Sequence, residues 1–219
     1  MSTKLNVPYA EKDIVKKLGA RWDPINKTWY VPDNVDLKKF SKWIDDLKPN
    51  LILDNLFIAV SQERCWKCQK VVPVLSLCSK NFTYIENPGK VDSYTQEFKN
   101  DLTFFSSINL PSQKIAQYIN NKFPFYYPDY SKTIQSKYWM NHCIFCKAKL
   151  GDFFLYNEPG GAFFPIDPDD AKKIELIHIS HVEKIEINGE FHQSEAYVFI
   201  SSSSSEITYE KFRQKWNLS

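Results

Sequence analysis

The cysteines are the residues whose spacing points most directly to a particular chemistry. Four of the five form two C-x-x-C pairs, Cys65 with Cys68 and Cys143 with Cys146. A C-x-x-C turn lets two thiolates bind one ion, and two such turns supply the four ligands of a closed tetrahedral site. The sequence therefore predicts one structural Zn²⁺ ion bound by these four cysteines. Because four thiolates leave no open coordination position, the predicted ion is not catalytic.

The cysteines are also compatible with roles that need no zinc. A single C-x-x-C is typical of a thioredoxin-like redox pair, but neither pair here sits at the strand-to-helix junction of a βαβ unit. The cysteines could also be incidental. His142 adjoins Cys143 and could replace a cysteine as ligand, although a place beside the site is more typical. Cys78 lies outside the pattern, and we expect a buried free thiol there.

The distance between the two pairs is unusual for a zinc ribbon. They are separated by 74 residues, whereas a compact ribbon has about 15–20. We therefore expect residues 69–142 to form an insertion whose two ends are tied together by the metal. Closing so long a loop should stabilise the fold strongly.

No set of residues typical of an enzyme stands out. The sequence has no glycine-rich phosphate loop, no G-x-S-x-G and no H-E-x-x-H. The acidic cluster Asp167, Asp169 and Asp170 could bind Mg²⁺, but Asp-Pro-Asp-Asp is more often a helix start or a turn. We therefore expect a non-enzymatic protein, and a hydrolase with an unrecognised site is the third alternative.

The first 48 residues predict a small β-α-β-β-α module. Residues 10–18 carry an apolar residue at every fourth position, which indicates a helix, and Gly19 suits the position just after its end. Residues 20–31 indicate a hairpin around a turn at 24–26. Asp36 is a suitable N-cap for a second helix, whose apolar face would contain Leu37, Phe40, Ile44 and Leu47.

The predicted hairpin carries five residues that could bind nucleic acid: Arg21, Trp22, Lys27, Trp29 and Tyr30. Cations neutralise phosphates and flat rings stack on bases, and a single-stranded nucleic acid site needs both. The alternative is that the tryptophans form the core of a small module. That alternative is favoured for both tryptophans, because large rings usually lie where their area can be buried, and Trp29 also shares a strand face with an apolar residue two positions on.

The same module carries a family resemblance. The segments 7–13, 18–23 and 27–32 include Gly-Ala-Arg-Trp-Asp and Lys-Thr-Trp-Tyr-Val-Pro. They resemble a small bacterial domain of unknown function that is found beside plasmid-conjugation primases and in other mobile-element proteins. The resemblance covers roughly the first 45 residues. It implies an association with DNA metabolism rather than a particular reaction.

Residues 49–219 are expected to form a larger β-rich domain. The segments 138–143, 151–156 and 158–164 resemble an uncharacterised bacterial zinc-ribbon family. The last two segments indicate a strand, a turn and a strand after the second cysteine pair. The resemblance covers roughly residues 60–165 and implies a zinc-ribbon-like domain that often follows the same N-terminal module.

Three further segments carry local signals. Asn188-Gly189 between 184–187 and 195–200 predicts a hairpin. Residues 111–123 indicate a helix with Ser112 as a candidate N-cap. Residues 123–130 are rich in aromatic residues and proline; we expect a loop packed by its own rings, with a binding surface as the alternative.

Composition limits the possible functions. The chain has 219 residues and a formal net charge of +2, so any nucleic-acid site must be a local patch. Aromatic residues make up 16% of the chain and only six residues are glycine, which favours a compact β-containing core. Residues 1–8 lack the apolar segment of a secretory signal, and no apolar run approaches the ~20 residues that span a bilayer. We therefore expect a cytoplasmic protein that does not enter a membrane.

These observations predict an α+β protein with an N-terminal module at 1–48 and a zinc-ribbon-like domain at 49–219. The expected function is that of a zinc-binding protein that recognises single-stranded or duplex nucleic acid, or a nucleic-acid-processing partner. The alternative is a protein-interaction module, such as an adaptor, inhibitor or immunity protein of a bacterial mobile element.

Overall fold

The computed structural model describes residues 3–32, 34–40, 43, 48–109, 113–134, 136–180, 184–193 and 205–218. The chain divides into two compact units, Met1–Leu47 and Lys48–Ser219. Helices and strands are mixed, and strands predominate, which agrees with the predicted α+β class. Within the described ranges, no helix is both long enough and apolar enough to cross a membrane.

The first unit is built on a three-stranded antiparallel sheet. Its strands are β1 (Thr3–Leu5), β2 (Arg21–Asp23) and β3 (Thr28–Val31), with β3 in the centre. A 3₁₀ turn, Tyr9–Glu11, leads into helix α1 (Lys12–Lys17). The core of the unit contains Leu5, Val15, Ala20, Val31, Phe40 and Trp43.

The buried side of α1 differs from the predicted stripe. Ile14, which the four-residue spacing placed in the core, is 51% exposed, whereas its neighbour Val15 is fully buried. Ala10 lies in the 3₁₀ turn, which has three residues per turn rather than 3.6 and so shifts the phase of the following helix. Where the second helix was predicted, the structure describes a 3₁₀ turn, Leu37–Phe40; Ile44 and Leu47 lie outside the described residues.

The second unit contains one large sheet of twelve described strands. In sheet order, nine of them run β15-β13-β5-β6-β9-β14-β4-β7-β8. Strand β9 also pairs with β11, which carries β10 and β12. The strands are β4 (Leu51–Leu53), β5 (Leu56–Arg64), β6 (Val71–Ser79), β7 (Phe82–Glu86), β8 (Tyr94–Phe98), β9 (Thr103–Asn109), β10 (Tyr126–Ser131), β11 (Ser136–His142), β12 (Lys149–Leu150), β13 (Glu175–Ile179), β14 (Ile185–His192) and β15 (Ser205–Glu206).

Both faces of the central strands are buried. Leu56, Ile58 and Val60 of β5 enter one apolar cluster, and the alternate residues Phe57 and Ala59 enter another. The first cluster also receives side chains from α2 (Gln113–Lys122) and α5 (Tyr209–Lys215), and the second receives side chains from α3 (Asp152–Tyr156) and α4 (Pro168–Ala171). Burial on both faces explains the unbroken apolar run of β5, which a half-exposed strand would not have.

A buried asparagine joins strand β6, which follows the first cysteine pair, to strand β11, which precedes the second pair. Strand β6 pairs with β9 only from Leu77 to Ser79. At Leu75 the side chain of Asn141, on β11, takes the place of a neighbouring strand: its amide oxygen accepts from the Leu75 N–H at 2.8 Å and its NH₂ donates to the Leu75 carbonyl at 2.9 Å. Asn141 is fully buried, so these bonds satisfy backbone groups that water does not reach.

The hairpin predicted at Asn188-Gly189 was wrong, because both residues lie inside the single strand β14. Strand β14 pairs with β4 through Ile187 and with β9 from Asn188 onward, and the register against β9 shifts between Asn188 and Glu190. The side chain of Asn50 bonds both backbone groups of Gly189, at 2.8 and 2.9 Å. A Cβ atom at Gly189 would lie 2.9 Å from the Ser106 carbonyl oxygen, so the glycine permits close backbone contact rather than a turn. Residues 195–200 lie outside the described residues.

The strand predicted at residues 151–156 was also wrong, because Asp152–Tyr156 is helix α3. Its buried residues Asp152, Leu155 and Tyr156 follow the helical spacing of three and four. The aromatic segment 123–130 is not a self-packed loop, since its second half is strand β10 and Phe123, Phe125 and Tyr126 belong to the main core. The helix predicted at 111–123 is present as α2, while Ser112 lies outside the described residues.

Replacing Asn141 by alanine should lower the free energy of unfolding by roughly 2–4 kcal/mol, because two buried backbone groups of Leu75 lose their partners. The measurement is urea unfolding of the metal-loaded protein. Asn120→Ala, on the exposed side of α2, is the matched control and should change stability little. Equal unfolding midpoints for the two variants would contradict the bridging role of Asn141.

Candidate metal centre and aromatic groove

The two cysteine pairs occupy two turns with the same backbone conformation. The first knuckle (residues 65–70) joins β5 to β6, and the second knuckle (residues 143–148) joins β11 to β12. In each, the first cysteine donates its N–H to the carbonyl five residues later and its carbonyl accepts from the N–H four residues later. The distances are 2.9 and 2.8 Å in the first knuckle and 2.9 and 3.0 Å in the second. The repeated geometry is that of two equivalent metal-binding turns.

A left-handed residue follows each pair at the same position. Gln69 has a φ of 61° and Lys147 a φ of 59°. This conformation favours glycine, and neither residue is β-branched, which would make it costlier. It turns the chain back into the following strand while the backbone N–H groups remain directed at the sulfurs.

The four sulfurs lie close enough to share one ion. All lie within 4.8 Å of one another, with 3.6 Å separating the Cys65 and Cys146 sulfurs and the same distance separating those of Cys68 and Cys143. Four thiolates around Zn²⁺ at about 2.3 Å have sulfurs about 3.8 Å apart. Each pair contributes one buried cysteine, Cys65 or Cys143, and one partly exposed cysteine. The cluster could therefore hold a tetrahedral metal ion.

The thiols differ in acidity because their surroundings differ. Burial raises the pKa of Cys65, but the N–H groups of Cys68 and Lys67 and the neighbouring thiols outweigh it and lower that pKa to about 7. The N–H of Lys70 lowers the pKa of Cys68, but burial and the competing thiols raise it to about 11. The first cysteine is therefore prepared for the thiolate form that binds a metal.

The histidine and the fifth cysteine are engaged elsewhere. The ring of His142 stacks on Tyr127, with ring centroids 3.6 Å apart, and its Nε2 lies 3.3 Å from Asp129; burial lowers its pKa. Cys78 is fully buried among apolar residues, its thiol 3.5 Å from the carbonyl oxygen of Phe57, and burial raises its pKa strongly.

The acidic cluster forms the start of a helix. Asp167 caps α4 by accepting from the Asp170 N–H at 2.8 Å. Asp169 and Asp170 form ion pairs with the lysines three residues later, at 2.8 and 2.6 Å. These bonds give the carboxylates a structural role.

A buried polar cluster had no signal in the sequence. Asp152 accepts from the N–H of Ser107 at 2.7 Å, and Ser107 has a left-handed φ of 52°. Burial raises the pKa of Asp152 to about 7. Nearby on β9, Ser106 lies 2.7 Å from Nε2 of His192. These residues come from three separate elements, so only the fold brings them together.

The five residues predicted to bind nucleic acid lie on two different sides of the first unit. Trp22, Lys27 and Trp29 line an aromatic groove that has a volume of about 440 Å³. Arg21 and Tyr30 are paired across β2 and β3 and lie on the opposite face of the sheet. The remaining lining residues are Leu5, Asn6, Val7, Tyr9, Lys12 and Thr28.

The rings of the groove are partly open to solvent. Trp22 and Trp29 meet edge to face with centroids 5.6 Å apart. Trp29 packs partly against the core, whereas Trp22 is 48% exposed. Tyr9 is 82% exposed, and the Lys12 ammonium lies 4.0 Å from its ring centroid. A core role therefore applies to Trp29, while the rings of Trp22 and Tyr9 remain accessible.

Comparison with known proteins bears on the first unit. Residues 2–45 match the model of a domain of unknown function, DUF5710. Two Escherichia coli proteins named DNA primase TraC are 62% and 56% identical to this chain over 39 residues. That stretch is 18% of this chain but only 4% and 3% of those proteins. No solved structure matches. The resemblance predicted for the N-terminal module is thus confirmed for residues 2–45.

We expect one divalent ion per chain, lost when Cys65 or Cys143 is changed to serine. Removing the ion should lower the free energy of unfolding by more than about 3 kcal/mol, because it no longer ties the two knuckles together. Elemental analysis of purified protein and unfolding with and without chelator measure the two effects. Cys78→Ala is the control and should retain the ion; a metal-free wild-type protein with unchanged stability would refute the site.

Asp152→Asn should stabilise the protein at high pH. A carboxyl whose pKa is about 7 when folded and about 3.9 when unfolded costs stability progressively as pH rises between those values. Asparagine still accepts from Ser107 without carrying charge. Urea unfolding should therefore show equal stability at pH 4 and a gain of about 2–4 kcal/mol for the variant at pH 8. Asp101→Asn, on an exposed turn, should show no such difference; a destabilised Asp152→Asn protein at pH 8 would contradict the argument.

Proposed function

We propose that the protein is a non-enzymatic zinc-binding protein that binds nucleic acid through the aromatic groove of its first unit. The observation that carries this proposal is the grouping of exposed Trp22 and Tyr9 with Lys12 and Lys27 along one groove. An unpaired base offers a flat face to such rings, and its phosphate offers a negative charge to the lysines.

The exposure of Trp22 favours binding over a purely structural role. The core of the first unit is already filled by Leu5, Val15 and Val31, all nearly or fully buried. Almost half of Trp22 remains outside it, although tryptophan loses much favourable burial when left in water. A ring in this position is typical of a ligand-binding surface.

The similarity to segments of proteins named DNA primase TraC supports the same proposal. The segment recurs in proteins whose name describes an action on DNA, and the groove residues lie in the matched domain, which spans residues 2–45. Because the shared stretch is a few per cent of those proteins, primase activity itself does not transfer to this chain.

The metal proposed for the knuckles is Zn²⁺. Four thiolates in a tetrahedral cluster suit Zn²⁺ or an iron–sulfur centre. We favour Zn²⁺ because it is redox-inert, which suits a structural site that joins two hairpins. Its role is to hold the β5–β6 and β11–β12 hairpins together. We also propose that the second unit is zinc-ribbon-like and that the protein is cytoplasmic.

The test is fluorescence anisotropy of a labelled 20-nucleotide oligothymidylate and a 20-base-pair duplex, titrated with the full zinc-loaded chain at several salt concentrations. Trp22→Ala should weaken single-strand binding about 5- to 100-fold, since one stacked base contributes about 1–3 kcal/mol. Lys27→Gln should reduce the steepness of the plot of log affinity against log salt concentration by about 0.7, because one phosphate contact is lost.

Two controls sharpen this experiment. Ile25→Ala removes an apolar side chain that is 90% exposed on the same hairpin and should leave affinity unchanged, and Trp22→Phe should restore most of the loss. If Arg21→Ala weakened binding more than Trp22→Ala, the opposite sheet face would be the site. Absence of binding to both oligonucleotides at the lowest salt would refute the proposal.

A protein-interaction module is the second candidate function. Phe153 and Phe154, adjacent on α3, are 59% and 67% exposed and meet edge to face with centroids 5.5 Å apart. Exposed paired aromatics are enriched at protein interfaces. A stoichiometric protein that co-purifies after nuclease treatment, and is lost in a Phe153→Ser, Phe154→Ser double variant, would favour this function.

A further inference from the structure

The outer side of the metal centre carries two exposed aromatic rings that the metal does not use. Trp66, between the cysteines of the first knuckle, is 66% exposed, and Phe145, between those of the second, is 54% exposed. Neither ring belongs to the apolar clusters of the second unit. We call the surface that contains them the knuckle surface; its members are Trp66, Lys67, Lys70, Phe145 and Lys147.

Both rings are held in place by the opposite hairpin. The indole N–H of Trp66 donates to the carbonyl oxygen of Lys149, just after the second knuckle, at 2.9 Å. The ammonium of Lys70, at the end of the first knuckle, lies 4.3 Å from the ring centroid of Phe145. Each ring is thus fixed by the same convergence that brings the sulfurs together. Fixed rings lose little entropy when a ligand stacks on them.

The two knuckles themselves carry basic side chains and no acidic ones. Residues 64–70 and 143–149 contain five lysines and arginines and no aspartate or glutamate. Of these cations, Lys149 is engaged with Asp129 at 3.0 Å. Four thiolates with a divalent ion carry about two negative charges, and the cations of the knuckles outnumber them. The excess positive charge of the knuckle surface therefore attracts a polyanion.

We infer that the knuckle surface is a second contact site for single-stranded nucleic acid. This inference rests on the proposed function and adds a surface in the second unit to the groove in the first. Unpaired bases can stack on Trp66 and Phe145 while phosphates lie against Lys67, Lys70 and Lys147. A duplex keeps its bases stacked internally and would use only the lysines. A protein partner suits the surface less, because lysine is depleted at the core of protein interfaces.

The experiment compares binding of the full zinc-loaded chain to oligothymidylate and to a duplex, in wild type and in a Trp66→Ala, Phe145→Ala double variant. Single-strand affinity should fall about tenfold or more, and duplex affinity should fall much less. A Lys67→Gln, Lys147→Gln double variant keeps the Lys70–Phe145 contact and leaves both rings in place, and it should lower the salt slope for single strands by about 1.4. Lys90→Gln with Lys211→Gln, two exposed lysines elsewhere in the unit, is the matched charge control.

The outcomes separate this inference from the proposed function. Loss of affinity in Trp22→Ala but not in either knuckle variant would overturn the second contact site and leave the groove intact. Equal loss for single strand and duplex in the aromatic variant would also overturn it, because no stacking would be involved. Zinc content is measured in every variant. If the aromatic variant loses its zinc, its loss of affinity is not interpretable, and the lysine variant is used instead. An unchanged salt slope for single strands in the lysine variant would overturn the inference.

Discussion

The convergence of four cysteine sulfurs from two distant hairpins is the constraint on which the second unit depends. The knuckles are separated by 74 residues, and those residues supply strands β6 to β11 and helix α2 of the same unit. The residues between the two knuckles are therefore part of the sheet of the second unit rather than a separate addition to it. A metal ion at the cluster would fix the start of strand β6 and the end of strand β11, which are also joined by the buried amide of Asn141.

Both units carry exposed aromatic rings beside lysines, in different structural settings. In the first, Trp22 and Tyr9 lie exposed beside Lys12 and Lys27 along the aromatic groove. In the second, Trp66 and Phe145 lie exposed on the two knuckles, outside the apolar clusters of that unit. Both arrangements expose flat rings next to cations on a chain whose net charge is only +2. Local placement, rather than overall charge, would then give the affinity.

The sequence was most informative where residue type alone dictates the geometry. The C-x-x-C pairs predicted a four-sulfur cluster because thiolates at that spacing have few other uses, and the sulfurs do converge. The aromatic hairpin was predicted from the turn at 24–26. The structure divides its residues between two faces, which follows from the Trp22–Trp29 and Arg21–Tyr30 pairings. The errors came from long-range effects. Asn188-Gly189 lies in a strand because Asn50 and the Ser106 backbone occupy its surroundings, and no local pattern encodes those contacts.

Ultraviolet cross-linking of the full zinc-loaded chain to oligothymidylate, followed by mass spectrometry of the linked peptides, tests the central claim most directly. It reports which side chains touch the bases without requiring any substitution. We expect cross-links at Tyr9, Trp22 or Trp29 that disappear as salt is raised. Cross-links confined to peptides without these rings, or none at low salt, would contradict it.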